Sequence, residues 1–185
     1  MIYVLADNII SPLGRTSEEN YHAVKAGSSA IRSYAPMTDG VPNGFMASLL
    51  SSDFEEIVFS SASKAISLSG IDVSDKRIIF ILSSTKGAIE NLGKTEDEKL
   101  YLGETAQRIA TRLGFRTRPI VVCNACISGS SALILASRLL QLGTYEHAVV
   151  SGADCPRQFI ISGFQSLNAM SFEACRPFDI ERQGL

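Results

Sequence analysis

Val121-Val122-Cys123-Asn124-Ala125-Cys126-Ile127-Ser128-Gly129-Ser130-Ser131-Ala132-Leu133 reads as a buried strand that runs into a sharp turn and then into an amphipathic helix. Cys126 falls at the turn, just ahead of small residues and the helix. A sulfur there faces unpaired helix N–H groups and the positive end of the helix dipole. That setting favours thiolate over thiol, and the thiolate is the nucleophile. The first functional expectation is therefore a cysteine that carries an acyl group.

Working outward, the elements on either side alternate between strand and helix. Pro119 to Val122 is the strand before Cys126, and Ala132, Leu135, Ala136, Leu139 and Leu140 share one face of the helix after it, which Gly143 stops. His147 to Val150 is a further apolar strand, ending in Ser151-Gly152-Ala153-Asp154. Upstream, Arg77 to Leu82 is a continuous apolar run, the pattern of a strand covered on both faces. The polar turn Ser83-Ser84-Thr85-Lys86-Gly87 follows it. Asp53 opens a helix that Gly70 closes after Ser69, and Leu100 to Leu113 carries helical spacing up to Gly114. The Asn91–Lys99 stretch between them is charged and reads as a surface loop. Near the start, Ile2 to Ile10 reads as a strand, Thr16 or Ser17 caps a helix ended by Gly27, and Pro36, Gly40, Pro42 and Gly44 mark loops around a short extended region.

These elements imply an α/β fold with a mostly parallel sheet covered by helices on both faces. Functional groups gather beyond the C-terminal strand ends in such sheets. Cys126, Ser84 and Asp154 all follow strand ends, so they are expected to share one crevice, with Thr85 beside Ser84.

Composition narrows the classes. The 185 residues are 45% hydrophobic and 19% charged with a net charge of −2, which suits one globular domain or part of a larger one. That charge points to no nucleic acid and no anionic membrane surface. The longest apolar runs, such as Ile78-Ile79-Phe80-Ile81-Leu82, are of strand length, and Met1-Ile2-Tyr3-Val4 is not a secretory leader, so the expected location is cytoplasmic. Four cysteines are too few for a disulfide framework. Cys123 and Cys126 form a C-x-x-C, which leaves a zinc half-site and a thioredoxin-like redox pair open. Cys155 and Cys175 supply no second close pair of ligands, and Cys123, in the apolar run, is expected to point inward as a small hydrophobe.

Asn124-Ala125-Cys126-Ile127-Ser128-Gly129 resembles the Ala-Cys-x-Ser-Gly nucleophile motif of the β-ketoacyl-acyl-carrier-protein synthases, condensing enzymes of the thiolase superfamily. Further likenesses run in chain order. Ile10-Ser11-Pro12-Leu13-Gly14 resembles the opening Ser-Pro-x-Gly turn, and Ala26-Gly27-Ser28-Ser29-Ala30-Ile31 the Gly-x-Ser-x-Ile after the first helix. Ser151-Gly152-Ala153-Asp154 resembles Gly-Gly-Ala-Glu, and Gly163-Phe164 with Ala169-Met170-Ser171 resembles the Gly-Phe and Ala-Leu-Ser pair. Arg176-Pro177-Phe178-Asp179-Ile180-Glu181-Arg182-Gln183-Gly184 resembles Arg-Pro-Phe-Asp-x-x-Arg-Asp-Gly.

The resemblance implies that residues 1–185 form the N-terminal domain of such a synthase, one half of the thiolase-like αβαβα fold. It implies that Cys126 accepts an acyl chain from an acyl-carrier-protein thioester, before decarboxylative condensation with a malonyl thioester in fatty acid or polyketide-type biosynthesis. Phe164 would line the acyl pocket, with Ser84 and Thr85 as further substrate-binding candidates. The backbone N–H of Cys126 would be one oxyanion donor. No cofactor is implied, because phosphopantetheine arrives on the carrier protein. The implied partners are that carrier protein and a second synthase subunit, identical or different.

The chain also departs from the family. Two catalytic histidines, a lysine and a second oxyanion donor are expected from a C-terminal half, and the sequence stops at Gly184-Leu185 without the Gly-Glu-Gly continuation. His22 and His147 fit surface positions instead. The expectation is half of an active unit. Ser151 replaces the first glycine of Gly-Gly-Ala-Glu, and the 86–103 region is short. Retention of Cys126 argues against a chain-length-factor subunit, the relative that lacks the cysteine. A non-catalytic binding or scaffold half-domain that pairs with a synthase subunit is the alternative, and a C-x-x-C redox protein the third reading. Ser61-Ala62-Ser63-Lys64 matches Ser-x-x-Lys of penicillin-recognising enzymes without its companion motifs, and its serines are expected to face solvent. Lys86 reads as a surface residue and Asp154 as a structural acid that bonds backbone near the site.

Overall fold

The computed structural model describes residues 1–37, 40–94 and 96–184. Its centre is the strand β3, Ile78–Ser83, in which every residue is buried. β3 pairs in parallel with β4 (Ile120–Val122) on one side and β5 (His147–Gly152) on the other. The sheet order is β4-β3-β5.

The alternation of side chains along β3 divides the core. Ile78, Phe80 and Leu82 pack with Phe54, Val58 and Ala62 of α2 (Phe54–Ser69) and with Ala106, Ile109 and Ala110 of α3 (Leu102–Leu113). Ile79 and Ile81 point the other way, onto Ala132 and Ala136 of α4 (Ser128–Gln141). Successive strand residues alternate faces, so an unbroken apolar run needs a helical layer on each side. The fold is therefore α/β with a parallel sheet covered on both faces. Each large side chain buried this way contributes roughly 1.5–3 kcal/mol.

The helix ends follow their local chemistry. Thr16 caps α1 (Ser17–Lys25) in a capping box, its side chain accepting from Glu19 N–H while Glu19 accepts from Thr16 N–H. Gly14 precedes the box because an added Cβ would lie 2.5 Å from the Glu19 Cβ. Asp53 precedes α2 without a side-chain capping bond. Glu90 does that work from 36 residues away, accepting the Phe54 N–H at 3.2 Å. Two 3₁₀ turns, Ile89–Asn91 and Asp97–Leu100, overlap the two ends of the charged 91–99 stretch, of which Thr95 lies outside the described residues. A separate antiparallel ribbon, β1 (Arg32–Tyr34) with β2 (Phe45–Ala47), packs through Phe45 and Val41 on Ile161 of α5 (Gln158–Ser166).

Two expectations from the sequence do not hold. Residues 1–10 form no strand. The segment of residues 1–8 lines a cleft of about 840 Å³ together with residues of α2, α4 and β5, and it makes no ladder with the sheet. It is tied instead at its far end, where Asn8 Nδ2 donates to Ser61 Oγ and Ser61 Oγ to the Asn8 carbonyl, both at 3.1 Å. Ser61 thus faces the N-terminal segment and not solvent. Among the described residues no helix is long and apolar enough to cross a membrane.

Candidate active site

The parallel register aligns Ser83, Val122 and Gly152, so the three strands end together. Ser84, Cys126 and Asp154 all follow at that end. The turns are joined by backbone bonds: Ser84 N–H donates to the Val122 carbonyl at 3.4 Å and Ala153 N–H to the Ser83 carbonyl at 3.1 Å.

Cys126 sits in the 3₁₀ turn Ala125–Ile127, directly before α4. Ala125 takes φ of 45°, left-handed backbone that a residue with a Cβ rarely adopts. This reversal lets the chain leave β4 and enter α4 within a few residues. Ser128, at the first helical position and 5% exposed, accepts the Asn124 N–H at 2.8 Å and donates to the Ala125 carbonyl at 2.7 Å. Cys126 is exposed, as is every residue from Cys123 to Ile127. The elbow therefore stands open at the positive end of a 14-residue helix. Ile127, in the same turn, is 57% exposed, and α4 further along exposes Leu133 (61%) and Ile134 (53%).

Ser84 and Thr85 are brought together by Asp154. The buried Ser84 hydroxyl donates to Asp154 Oδ1 at 2.9 Å, and Thr85 N–H reaches the same oxygen at 3.3 Å. Ser84 Oγ also accepts the Gly87 N–H at 3.0 Å, closing the 84–87 turn. Asp154 is thus a structural acid that bonds backbone. Phe164 is 43% exposed on α5, whose packing runs through Ile161 to the β1–β2 ribbon and to the 89–91 turn.

The other cysteines divide by position. Cys123 is exposed, against the expectation that it points inward, because β4 is an edge strand that ends one residue earlier. Cys155 is buried in the α2–α3 core layer. That burial, helped by the nearby Glu90 charge, pushes its thiol up to about 11. Cys175 is exposed. His22 is exposed in the last turn of α1, 3.8 Å from Glu18, and His147 opens β5 at the opposite end of that strand from Asp154. Lys86 is exposed beside the turn. Among the described residues no three His, Cys, Asp or Glu side chains gather as a metal site.

Two features carry no sequence signature that local reading detects. Glu90 is too distant in sequence from α2 to be read as its cap. Ser128 is visible as a motif residue, but its grip on the elbow backbone requires the turn geometry.

Residues 102–185 match the family model described as Beta-ketoacyl synthase, N-terminal domain. A comparison with curated protein sequences gives no match. Among solved structures, the chain is similar to a Beta-ketoacyl synthase from Burkholderia phymatum STM815, with 21% identity and a TM-score of 0.79 over 98% of this chain and 55% of that one. A ketosynthase from Xenorhabdus doucetiae in complex with its chain length factor gives 20% identity and 0.75 over 99% and 54%. A ketosynthase in complex with a type II PKS acyl-carrier protein gives 14% and 0.60 over 90% and 54%. The chain spans about 55% of the length of these neighbours. The resemblance read in the sequence is borne out, and the fold is that of the ketosynthases. The family match contains the Cys126 motif and every likeness after it, whereas those at 10–14 and 26–31 lie outside it and rest on the fold.

Proposed function

With the ketosynthase fold as its premise, we propose that this chain supplies the acyl-accepting half of a condensing enzyme. The observation that carries the reading is the open elbow: an exposed cysteine on a strained turn, fixed at a helix N-terminus at the shared end of three parallel strands.

The Cys126 sulfur attacks the carbonyl carbon of an acyl-carrier-protein thioester. A new S–C bond forms, and the tetrahedral oxyanion collapses with loss of the carrier thiolate, which takes up a proton. We assign the backbone N–H of Cys126 as one donor to that oxyanion. A malonyl thioester then loses carbon dioxide, and its carbanion attacks the acyl-cysteine carbonyl and regenerates the Cys126 thiolate. Phe164 is assigned to the acyl pocket and Thr85 to the thioester side, while the buried Ser84, its hydroxyl taken by Asp154 and the Gly87 N–H, shapes the turn and does not touch substrate.

The decarboxylating groups belong to chain beyond these residues. His22 lies on exposed α1 and His147 at the wrong end of β5 for either to serve. The neighbours are nearly twice as long, which supports an active unit with more chain than these 185 residues. The exposed Ile127 of the elbow and Leu133 and Ile134 of α4, a rim of apolar side chains along this helix, support burial against such a chain or a second synthase subunit. The same rim favours the second reading, a scaffold half-domain without turnover.

The test is thiol release from an acyl-carrier-protein thioester. One equivalent of carrier thiol per wild-type chain, and none with Cys126→Ser, is the expected result. No release from a folded wild-type chain would turn the assignment toward the scaffold.

A further inference from the structure

We infer that Ser128 is a positioning residue for Cys126: its buried hydroxyl locks the strained 124–127 turn in the form that presents the thiol. The inference rests on the reading of Cys126 as acyl acceptor and adds a second residue to that site.

Packing does not hold the elbow. No residue of the Ala125–Ile127 turn is buried, and none belongs to an apolar cluster. Left-handed backbone at Ala125 is disfavoured for a residue with a Cβ, so such a turn persists only where its surroundings over-determine it. Hydrogen bonds supply that constraint. The Ile127 N–H donates to the Asn124 carbonyl at 3.1 Å. The Ser128 N–H donates to the Ala125 carbonyl. The Ser128 hydroxyl adds a second donor to that carbonyl at 2.7 Å and is the acceptor for the Asn124 N–H at 2.8 Å. One side chain thus grips the peptide groups on both sides of the Asn124–Ala125 reversal, immediately before Cys126. Loss of the hydroxyl leaves the Ala125 carbonyl with its backbone donor but strips the Asn124 N–H of its acceptor. Ser131 offers an internal control, since its hydroxyl bonds only the Asn124 side chain, at 3.1 Å, on the exposed side of the helix.

The experiment is site-resolved alkylation by iodoacetamide, read by peptide mass spectrometry as the rate at Cys126 relative to Cys123. Ser128→Ala is expected to lower that ratio about three- to tenfold, the size of one lost net hydrogen bond. Ser128→Thr, which keeps the hydroxyl, is expected to restore it to within about twofold of wild type, and Ser131→Ala to leave it unchanged. In the wild-type chain the Asn124 amide is expected to exchange with deuterium more slowly than the exposed amides around it. That measurement, with Ser128→Thr, decides the matter if Ser128→Ala does not fold. An unchanged ratio in Ser128→Ala, no rescue by threonine, or free exchange at Asn124 overturns the inference. Alkylation does not involve an acyl thioester. A chain that shows this pattern yet accepts no acyl group refutes the acyl-acceptor reading alone.

Discussion

Ser84 Oγ and Asp154 Oδ1 lie 2.9 Å apart across 70 residues of sequence, and this bond ties the end of β3 to the end of β5. The same hydroxyl accepts the Gly87 N–H, so one buried oxygen sets both the spacing of two strand ends and the shape of the 84–87 turn. Removing Asp154 leaves a buried donor without its acceptor, which costs about 1–3 kcal/mol. Asp154→Ala is expected to lower the unfolding free energy by that amount, read in urea titration as a lower midpoint at unchanged slope. Ser84→Ala with Asp154→Ala is expected to cost less than the sum of the two. Strict additivity in the double-mutant cycle would show that the bond contributes nothing.

The four thiols are expected to react in an order set by their surroundings. Burial holds Cys155 at about 11, so at pH 8 it stays protonated as well as shielded. Cys126, on the open elbow, is expected to be alkylated fastest, Cys123 and Cys175 more slowly, and Cys155 only after unfolding in urea. Quantitative peptide mapping checks the order, and equal rates at all four sites would remove the basis for singling out Cys126.

Phe80 tests the layered core. It is fully buried on the α2–α3 face of β3, with its ring 5.5 Å from that of Phe115. Phe80→Ala is expected to cost about 3–5 kcal/mol, through lost transfer energy and the cavity left behind. A loss below about 1 kcal/mol in equilibrium unfolding, the size of a mild core swap, would mean that this face of β3 is not packed as described.

Acid sensitivity has an identifiable contributor at the start of β3. The Arg77 guanidinium and backbone N–H beside Asp75 hold its carboxyl down at about 2. The folded value lies below the unfolded one, near 3.9. Asp75 therefore stabilises the fold above about pH 4, and that contribution fades as pH falls toward 2. Urea midpoints at pH 5, 3 and 2 are expected to fall more steeply for wild type than for Asp75→Asn. Parallel curves would exclude Asp75 as a source of the pH dependence.

Much of this architecture was legible in the sequence because β3 is apolar throughout and the helix boundaries are marked by Thr16, Gly70 and Gly114. The elbow was legible because the family likenesses run in order around Cys126; its local pattern alone also admits a buried core cysteine, a zinc half-site or a redox pair. Failures came where tertiary context outweighed local pattern. Residues 2–10 have strand composition, yet a strand needs a partner edge, and this segment lines the cleft beside β5 without pairing to it. Cys123 continues an apolar run, yet the run passes the end of an edge strand before reaching it. Ser61 has no local reason to face inward until Asn8 crosses over it. Phe164 carries a family likeness, but its placement on α5 depends on a ribbon more than a hundred residues earlier in the chain.

The central claim is that Cys126 accepts an acyl group. Intact mass of the purified chain before and after incubation with an acyl thioester, beside Cys126→Ser, tests it most directly. The account predicts one acyl equivalent on the wild-type chain, mapped to the peptide containing Cys126, and none on the variant. An unmodified wild-type chain, or an adduct that persists in Cys126→Ser, would contradict it.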